Sequence, residues 1–190
     1  MLKELMRNCR SVRRFYGNRV ISRKTLVELV DLARLSSSAA NLQPLKYILS
    51  TDSERNTIIF KHLRWAGYFK DWSGPSPEER PTGYIIILGD NKIKENVKWD
   101  DALSAQTIMI GATDMGLGGC IIASVEKEAL QAELKIPERF DVLLVVAIGY
   151  AKEKVVIEDI EENGDIKYYR DSEGVHHVPK RALADIILDI

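Results

Sequence analysis

Three short stretches of this chain concentrate side chains that can do chemistry. The first is Arg10-Ser11-Val12-Arg13-Arg14-Phe15. Arginine forks pair bidentately with phosphate oxygens and a serine hydroxyl adds a compact donor, so the cluster suits a phosphate tail. The same run also reads as a solvated basic face or a helix-end charge cluster. The second is Ser38-Ala39-Ala40-Asn41-Leu42-Gln43-Pro44. Asn and Gln each carry a paired donor and acceptor, which matches the alternating hydrogen-bond edge of a heterocycle such as a flavin pyrimidine, and small neighbours let a backbone approach a flat ligand. A loop whose Asn and Gln satisfy their own backbone has the same composition. The third is Gly116-Leu117-Gly118-Gly119-Cys120-Ile121-Ile122-Ala123-Ser124. It fails as a dinucleotide fingerprint, because Ile121 stands where the third glycine belongs and a helix precedes the glycines where a strand should. What remains is a small-residue turn and strand whose amides can face a planar ring, or a tight helix-to-strand connection.

Other candidates carry less. Cys120 sits in an apolar run with no histidine near in sequence, which reads as a buried structural thiol. His176 and His177 diverge on an extended chain and share no ligand spacing with His62, so no metal site is expected. Asp100 and Asp101 diverge on a helix, and helix-start electrostatics account for them. Trp65, Tyr68, Phe69 and Trp72 cluster beside Pro75 and Pro77, either as a small satellite core or as the lining of a substrate entrance.

The elements that must hold these groups follow from periodicity. Ser22 is a capping hydroxyl for a helix with Leu26, Leu29, Val30 and Ala33 on one face. A small-residue loop over Ser36 to Pro44 leads into a strand from Tyr47 to Ser50. Gly74 to Gly83 holds three of the chain's six prolines, which marks a surface loop before the strand Tyr84 to Leu88. Val97 to Met115 repeats small and apolar residues as a buried helix, with Gly116 just past its end. Cys120 to Ala123 and Val142 to Ile148 read as strands covered on both faces, with Ser124 capping an intervening helix through Leu134. Asn163-Gly164 is a hairpin signal. Interleaved helices and strands around one sheet give an α/β or α+β layered domain.

Composition narrows the partners. A chain of 190 residues, 45% hydrophobic, supports one domain over residues 1–190 with a sizeable core. Lys and Arg number 27 against 28 Asp and Glu, so the net basic charge of a nucleic-acid or anionic-membrane binder is missing. No apolar run approaches the ~20 residues that span a bilayer, and two cysteines make neither a disulfide framework nor a four-cysteine zinc site, so the chain reads as cytoplasmic.

Taken in order, the arginine-serine cluster, the serine-small-small-Asn-x-Gln-Pro loop after the first long helix, and the late Gly-Leu-Gly-Gly-Cys turn resemble the nitroreductase family of flavin mononucleotide (FMN) enzymes. The resemblance extends to Asp100 or Asp101 and Gln106 on the central helix and to Val178-Pro179-Lys180-Arg181. It implies a three-layer α/β/α sandwich of the α+β class, with a mixed, largely antiparallel sheet and a C-terminal segment exchanged between the subunits of a homodimer. It further implies that Arg10, Ser11 and Arg13 hold the phosphate and ribityl end of FMN, with Lys180 or Arg181 completing the cation cluster. Ser37, Ser38, Ala39, Asn41 and Gln43 would approach the flavin from the partner subunit, and Ala123 and Ser124 would offer amides near its N5. Leu45, Trp65, Tyr68 and Trp72 are then the candidates for acceptor binding. The implied activity passes reducing equivalents from NADH or NADPH to a nitroaromatic, a quinone or a similar acceptor; the alternative is a flavin carrier or redox sensor with little turnover. Cys9, Ser37, Ala40 and Leu45 depart from the usual arginine, proline, glycine and tryptophan of the family, and Arg14 is available to compensate for Cys9.

Overall fold

Two central strands organise the core by simple alternation. In the computed structural model, which describes residues 1–160 and 164–188, β2 (Gly83–Asp90) is buried along its whole length and pairs with β4 (Phe140–Gly149). Tyr84, Ile86, Leu88, Val145 and Ala147 point to one face, while Ile85, Ile87, Val146 and Ile148 point to the other, and each set belongs to a separate hydrophobic cluster. The outer strands are β1 (Leu45–Ser50), beside β2, and β3 (Gly118–Ile122), beside β4. The order β1-β2-β4-β3 is antiparallel at every step.

Helices cover both faces, giving the three-layer α+β sandwich. On one side lie α2 (Arg23–Ala33) and α4 (Asp100–Asp114), with the short α1 (Leu2–Asn8) against α4. On the other lie α3 (Ser53–Lys61), which buries Ile59, and α5 (Lys127–Glu133), which buries Leu130. The Ser22 hydroxyl caps α2 by accepting the Thr25 amide at 3.1 Å. Small residues let α2 and α4 approach: a Cβ on Gly111 would meet Leu32 Cδ1 at 2.6 Å. Gly116, at φ +72°, makes the left-handed turn after α4.

Several boundaries differ from the sequence expectation for local reasons. The central helix starts at Asp100, three residues after Val97, because Trp99 takes a left-handed φ of +75°. Ser124 does not cap α5: Val125 stays extended to bridge Leu63, and the helix begins at Lys127 behind Glu126 with no side-chain cap. α1 and α3 are too short to announce themselves by periodicity, although Asp52 caps α3 through the Arg55 amide at 2.8 Å.

After β4 the chain builds a second, three-stranded sheet from β5 (Val155–Asp159), β6 (Tyr169–Arg170) and β7 (His176–Lys180). Its order is β5-β7-β6, with β5 and β7 parallel. Asn163 of the expected hairpin lies outside the described residues, and the stretches flanking it pair with β7 rather than with each other.

Candidate functional site

The arginine-serine segment runs along the free edge of β3. Ser11 bridges Gly119 in parallel register, and the Val12 amide donates to the Gly119 carbonyl at 2.8 Å. Gly119 has no room for a side chain, since a Cβ would meet Met109 Sδ at 2.6 Å. One Arg10 amino group donates to the Met6 carbonyl at 2.9 Å, while its Nε is buried with no protein partner. A buried donor left alone costs ~1–3 kcal/mol, so this atom is a vacancy for an acceptor.

Further along the same edge, Ala123 and Ser124 are exposed where β3 ends. Their carbonyls accept the Val125 and Arg64 amides at 2.9 Å each, and their own N–H groups have no partner among the described residues. From the Ser11–Gly119 bridge to Ala123 the strand rises about 13 Å. One edge therefore carries a cationic, hydroxylated end and an end with free amides, separated by the length of a ligand with a phosphate at one terminus and a ring at the other.

Arg13 is placed differently from Arg10. Its backbone amide donates to Glu153, its guanidinium Nη1 lies 3.3 Å from His176 Nε2, and it covers the Tyr168 ring at 4.7 Å. Burial pushes the His176 imidazole down to about 4, reinforced by Arg13, so its ring is neutral at pH 7 and Nε2 accepts. The fully buried Glu153 carboxylate also takes Arg170 at 2.9 Å, and Arg170 stacks on Phe69 and Trp72. The small sheet is thus fastened over Arg13 and the 65–72 segment by a polar and aromatic box. Trp65 is 6% exposed and packs on Phe60, so it belongs to the core rather than to an entrance; Tyr68, on the Tyr168 ring, is exposed. Arg14 is spent on Glu79 at 3.3 Å, and the buried Cys9 thiol meets the Gln106 amide at 3.7 Å, so Arg14 does not stand in for the family arginine. Lys180 and Arg181 are exposed at the far end of β7, about 13 Å along the strand from His176. Among the described residues neither pairs with Arg10 or Arg13. Cys120 is buried beside Ser11 and Arg13, and burial raises its thiol pKa, which keeps it protonated and inert.

The 36–44 loop is held from an unexpected quarter. The Ser38 hydroxyl donates to Asp100 Oδ2 at 2.5 Å and the Ala39 amide to Oδ1 at 3.2 Å, while the Ser38 oxygen accepts the Gln43 amide at 2.9 Å. Asp100 is 4% exposed. The loop carries three non-glycine residues in left-handed backbone, Ala40, Asn41 and Gln43, at φ 51°, 53° and 52°. Ser37, Ser38, Gln43, Leu45, Tyr47, Asp100 and Ser104 line a 220 Å³ pocket at the foot of the loop. Ser38 and Ala39 are consumed by Asp100, which leaves the exposed Asn41 side chain to face outward. The sequence reads Asp100 as helix-start electrostatics or, with Asp101, as part of the family pattern on the central helix, and gives no sign that it holds the 36–44 loop. Glu153 and Arg170 carry no sequence signal, because charged residues in a polar stretch read as solvated, and His176, weighed only as a metal ligand, turns out to meet Arg13.

The loop enters β1 and the arginine segment follows β3, so the two groups sit at opposite edges of the sheet, three strand spacings or ~14 Å apart. Fold and site together define an α+β sandwich whose β3 edge carries an arginine-serine segment and free amides, with a separate Asn/Gln loop. The chain belongs to the nitroreductase family: its sequence matches the Nitroreductase family model over residues 6–150. A protein of Archaeoglobus fulgidus, provisionally named NADH dehydrogenase/NAD(P)H nitroreductase, is 29% identical over 149 residues, 74% of this chain and 80% of the relative. Two solved structures share the fold. A Desulfovibrio desulfuricans protein in complex with FMN superposes with a TM-score of 0.70 at 19% identity, covering 100% of this chain and 96% of that one. The FMN-dependent nitroreductase of Clostridium difficile R20291 gives 0.62 at 24% identity, covering 89% and 92%. No helix among the described residues is long and apolar enough to cross a membrane.

Proposed function

We propose that this nitroreductase-family chain is an FMN-dependent oxidoreductase that takes hydride from NADH or NADPH and reduces a nitroaromatic, a quinone or a similar acceptor in a ping-pong cycle. The carrying observation is the edge of β3, where the Arg10–Ser11 segment, with the unpartnered buried Nε of Arg10, lies against Gly119 and the free amides of Ala123 and Ser124 follow about 13 Å along the strand. That donor set fits FMN, with Arg10 and Ser11 holding the phosphate and the two amides meeting the ring. When bound, FMN supplies the redox chemistry. The chain's residues bind and orient: fixed amides stabilise charge that develops beside them without reorganising, and Arg13 supplies positive charge. Asn41 and Gln43, at the opposite sheet edge, complete the site from a second copy of the chain, so the active unit is a homodimer with two equivalent sites. Large exposed apolar side chains on α4 and at the C-terminus, Trp99, Leu103, Leu183, Ile186 and Ile187, support that assembly.

A flavin carrier with little turnover is the second reading, favoured by one observation: Tyr168 and His176 cover Arg13. The two readings separate in absorbance spectra taken before and after anaerobic addition of NADH or NADPH. An enzyme bleaches within its turnover time, whereas a carrier bleaches far more slowly. A colourless protein that takes up no FMN defeats both.

A further inference from the structure

At the far end of β2 from Asp90 lies a pocket of 290 Å³ that the flavin reading does not use. Its walls come from the N-terminal turn of α3 (Ser53, Asn56, Thr57), the 77–82 loop (Pro77, Arg80) and Tyr84 of β2. Two donors here are buried without partners: the Tyr84 hydroxyl, on a residue 1% exposed, and Arg80 Nε. Burial raises the phenol pKa, so it remains a donor at every working pH. The Arg80 guanidinium lies flat on the Phe60 ring at 3.9 Å and has no ion-pair partner among the described residues. Nearby carboxylates leave Arg80 without a contact ion pair: Asp52 caps the Arg55 amide, Glu79 pairs with Arg14 and Lys152, and the exposed Glu78 is held first by backbone and the Ser76 hydroxyl, with only a weaker, longer-range attraction to Lys152 and Arg80. The rest of the lining is mixed, with the apolar Val20, Pro77 and Pro81 beside the hydroxyls of Thr51 and Ser53.

Two buried donors, one of them on a guanidinium with no contact ion pair, lack a single kind of partner, an anionic acceptor. We propose that this pocket binds a small organic oxyanion, with its carboxylate or phosphate on Arg80 and Tyr84 and an apolar body against Val20, Pro77 and Pro81. The site is independent of the flavin reading, and its 290 Å³ lies at the lower end of the range of small-molecule pockets, which suits a small ligand.

Isothermal titration of the full-length protein, as purified, with benzoate and separately with inorganic phosphate tests this. Saturable binding of benzoate supports the proposal with a carboxylate ligand, and saturable binding of phosphate alone supports it with a phosphate ester. Tyr84→Phe removes one atom and leaves the core filled, so it should fold at least as well as the parent while weakening the probe roughly tenfold. Arg80→Lys keeps the charge but loses the fork and should weaken it by a similar factor. Absence of saturable heat with both probes overturns the proposal. So does equal affinity in Y84F and the parent, or an ordered water bridging Tyr84 and Arg80 in crystals grown in saturating benzoate.

Discussion

Removing the carboxylate of Asp100 should release the 36–44 loop. In Asp100→Ala the Ser38 hydroxyl and the Ala39 amide both lose their acceptor. Each bond to a charged group is worth ~1.5–3 kcal/mol net, so the ceiling is ~6 kcal/mol. Water entering the vacated space recovers part of it, and relaxation of the left-handed backbone at Ala40, Asn41 and Gln43 recovers more, at ~1 kcal/mol or above per residue. The net expectation is a loss of ~1–3 kcal/mol. With a urea slope of ~2 kcal/mol/M, the midpoint should fall by about 0.5–1.5 M. Asp100→Asn retains one acceptor oxygen but turns an NH2 group toward the other donor, so its midpoint should fall between those of the parent and the alanine variant. Urea unfolding followed by circular dichroism reads stability, and fluorescence titration with FMN reads the loop's contribution to the site. An alanine variant with the parent's midpoint and the parent's FMN affinity would show that Asp100 holds nothing. An asparagine variant less stable than the alanine variant would refute the two-bond account.

Replacing Arg10 and Arg13 together by alanine should weaken FMN binding by roughly tenfold to a hundredfold per lost charge-assisted contact, measured by fluorescence quenching; unchanged affinity places the phosphate elsewhere. Gly111→Ala forces Leu32 and Leu29 apart from contacts of 2.6 and 3.1 Å and should cost ~1–3 kcal/mol, seen as a melting temperature lower by about 2–10 °C. The small sheet should be pH-sensitive through His177, whose pKa is raised by Asp171 and Glu158, at 3.0 and 2.9 Å. A raised folded pKa contributes stability that is complete below the unfolded value of ~6.5 and is lost as pH rises through the folded value. Asp171 is lowered by the same pairing, so its contribution is complete above ~3.9 and lost as pH falls through its folded value. Protection factors at the β7 amides, exchange rates corrected for the intrinsic pH dependence of amide exchange, should therefore be highest between about pH 4 and 6.5, and His177→Gln should flatten the alkaline side. Light scattering at low micromolar concentration should report about twice the 21.5 kDa chain mass.

What the sequence disclosed depended on length of signal. β2, β4 and α4 repeat apolar residues over enough turns or pleats to be read directly, and Ser22 and Gly116 mark helix ends by local chemistry that no tertiary contact overrides here. α3 was missed because nine residues bury only Ile59, too few for a period. Ser124 looked like a cap, yet tertiary pairing of Val125 with Leu63 overrode the local preference. At the site, Arg10, Ser11 and the 38–43 loop were legible as residue types, and their separation on two sheet edges was not, since strand order is a property of the whole fold. Glu153 and Arg170 stayed hidden because a buried ion pair and a solvated one have the same letters.

The bond between Ser38 and Asp100 joins positions 62 residues apart. A turn that three left-handed residues disfavour cannot settle on local preference, so it must wait for a distant acceptor. On a ribosome adding about 5–20 residues per second, Asp100 is made some 3–12 s after the loop it will hold. During that interval the neighbouring strand β1 also lacks its partner β2, which is synthesised over residues 83–90. The 36–44 loop therefore becomes native only after the start of α4 has been made, and a nascent or truncated chain that ends before α4 cannot present it.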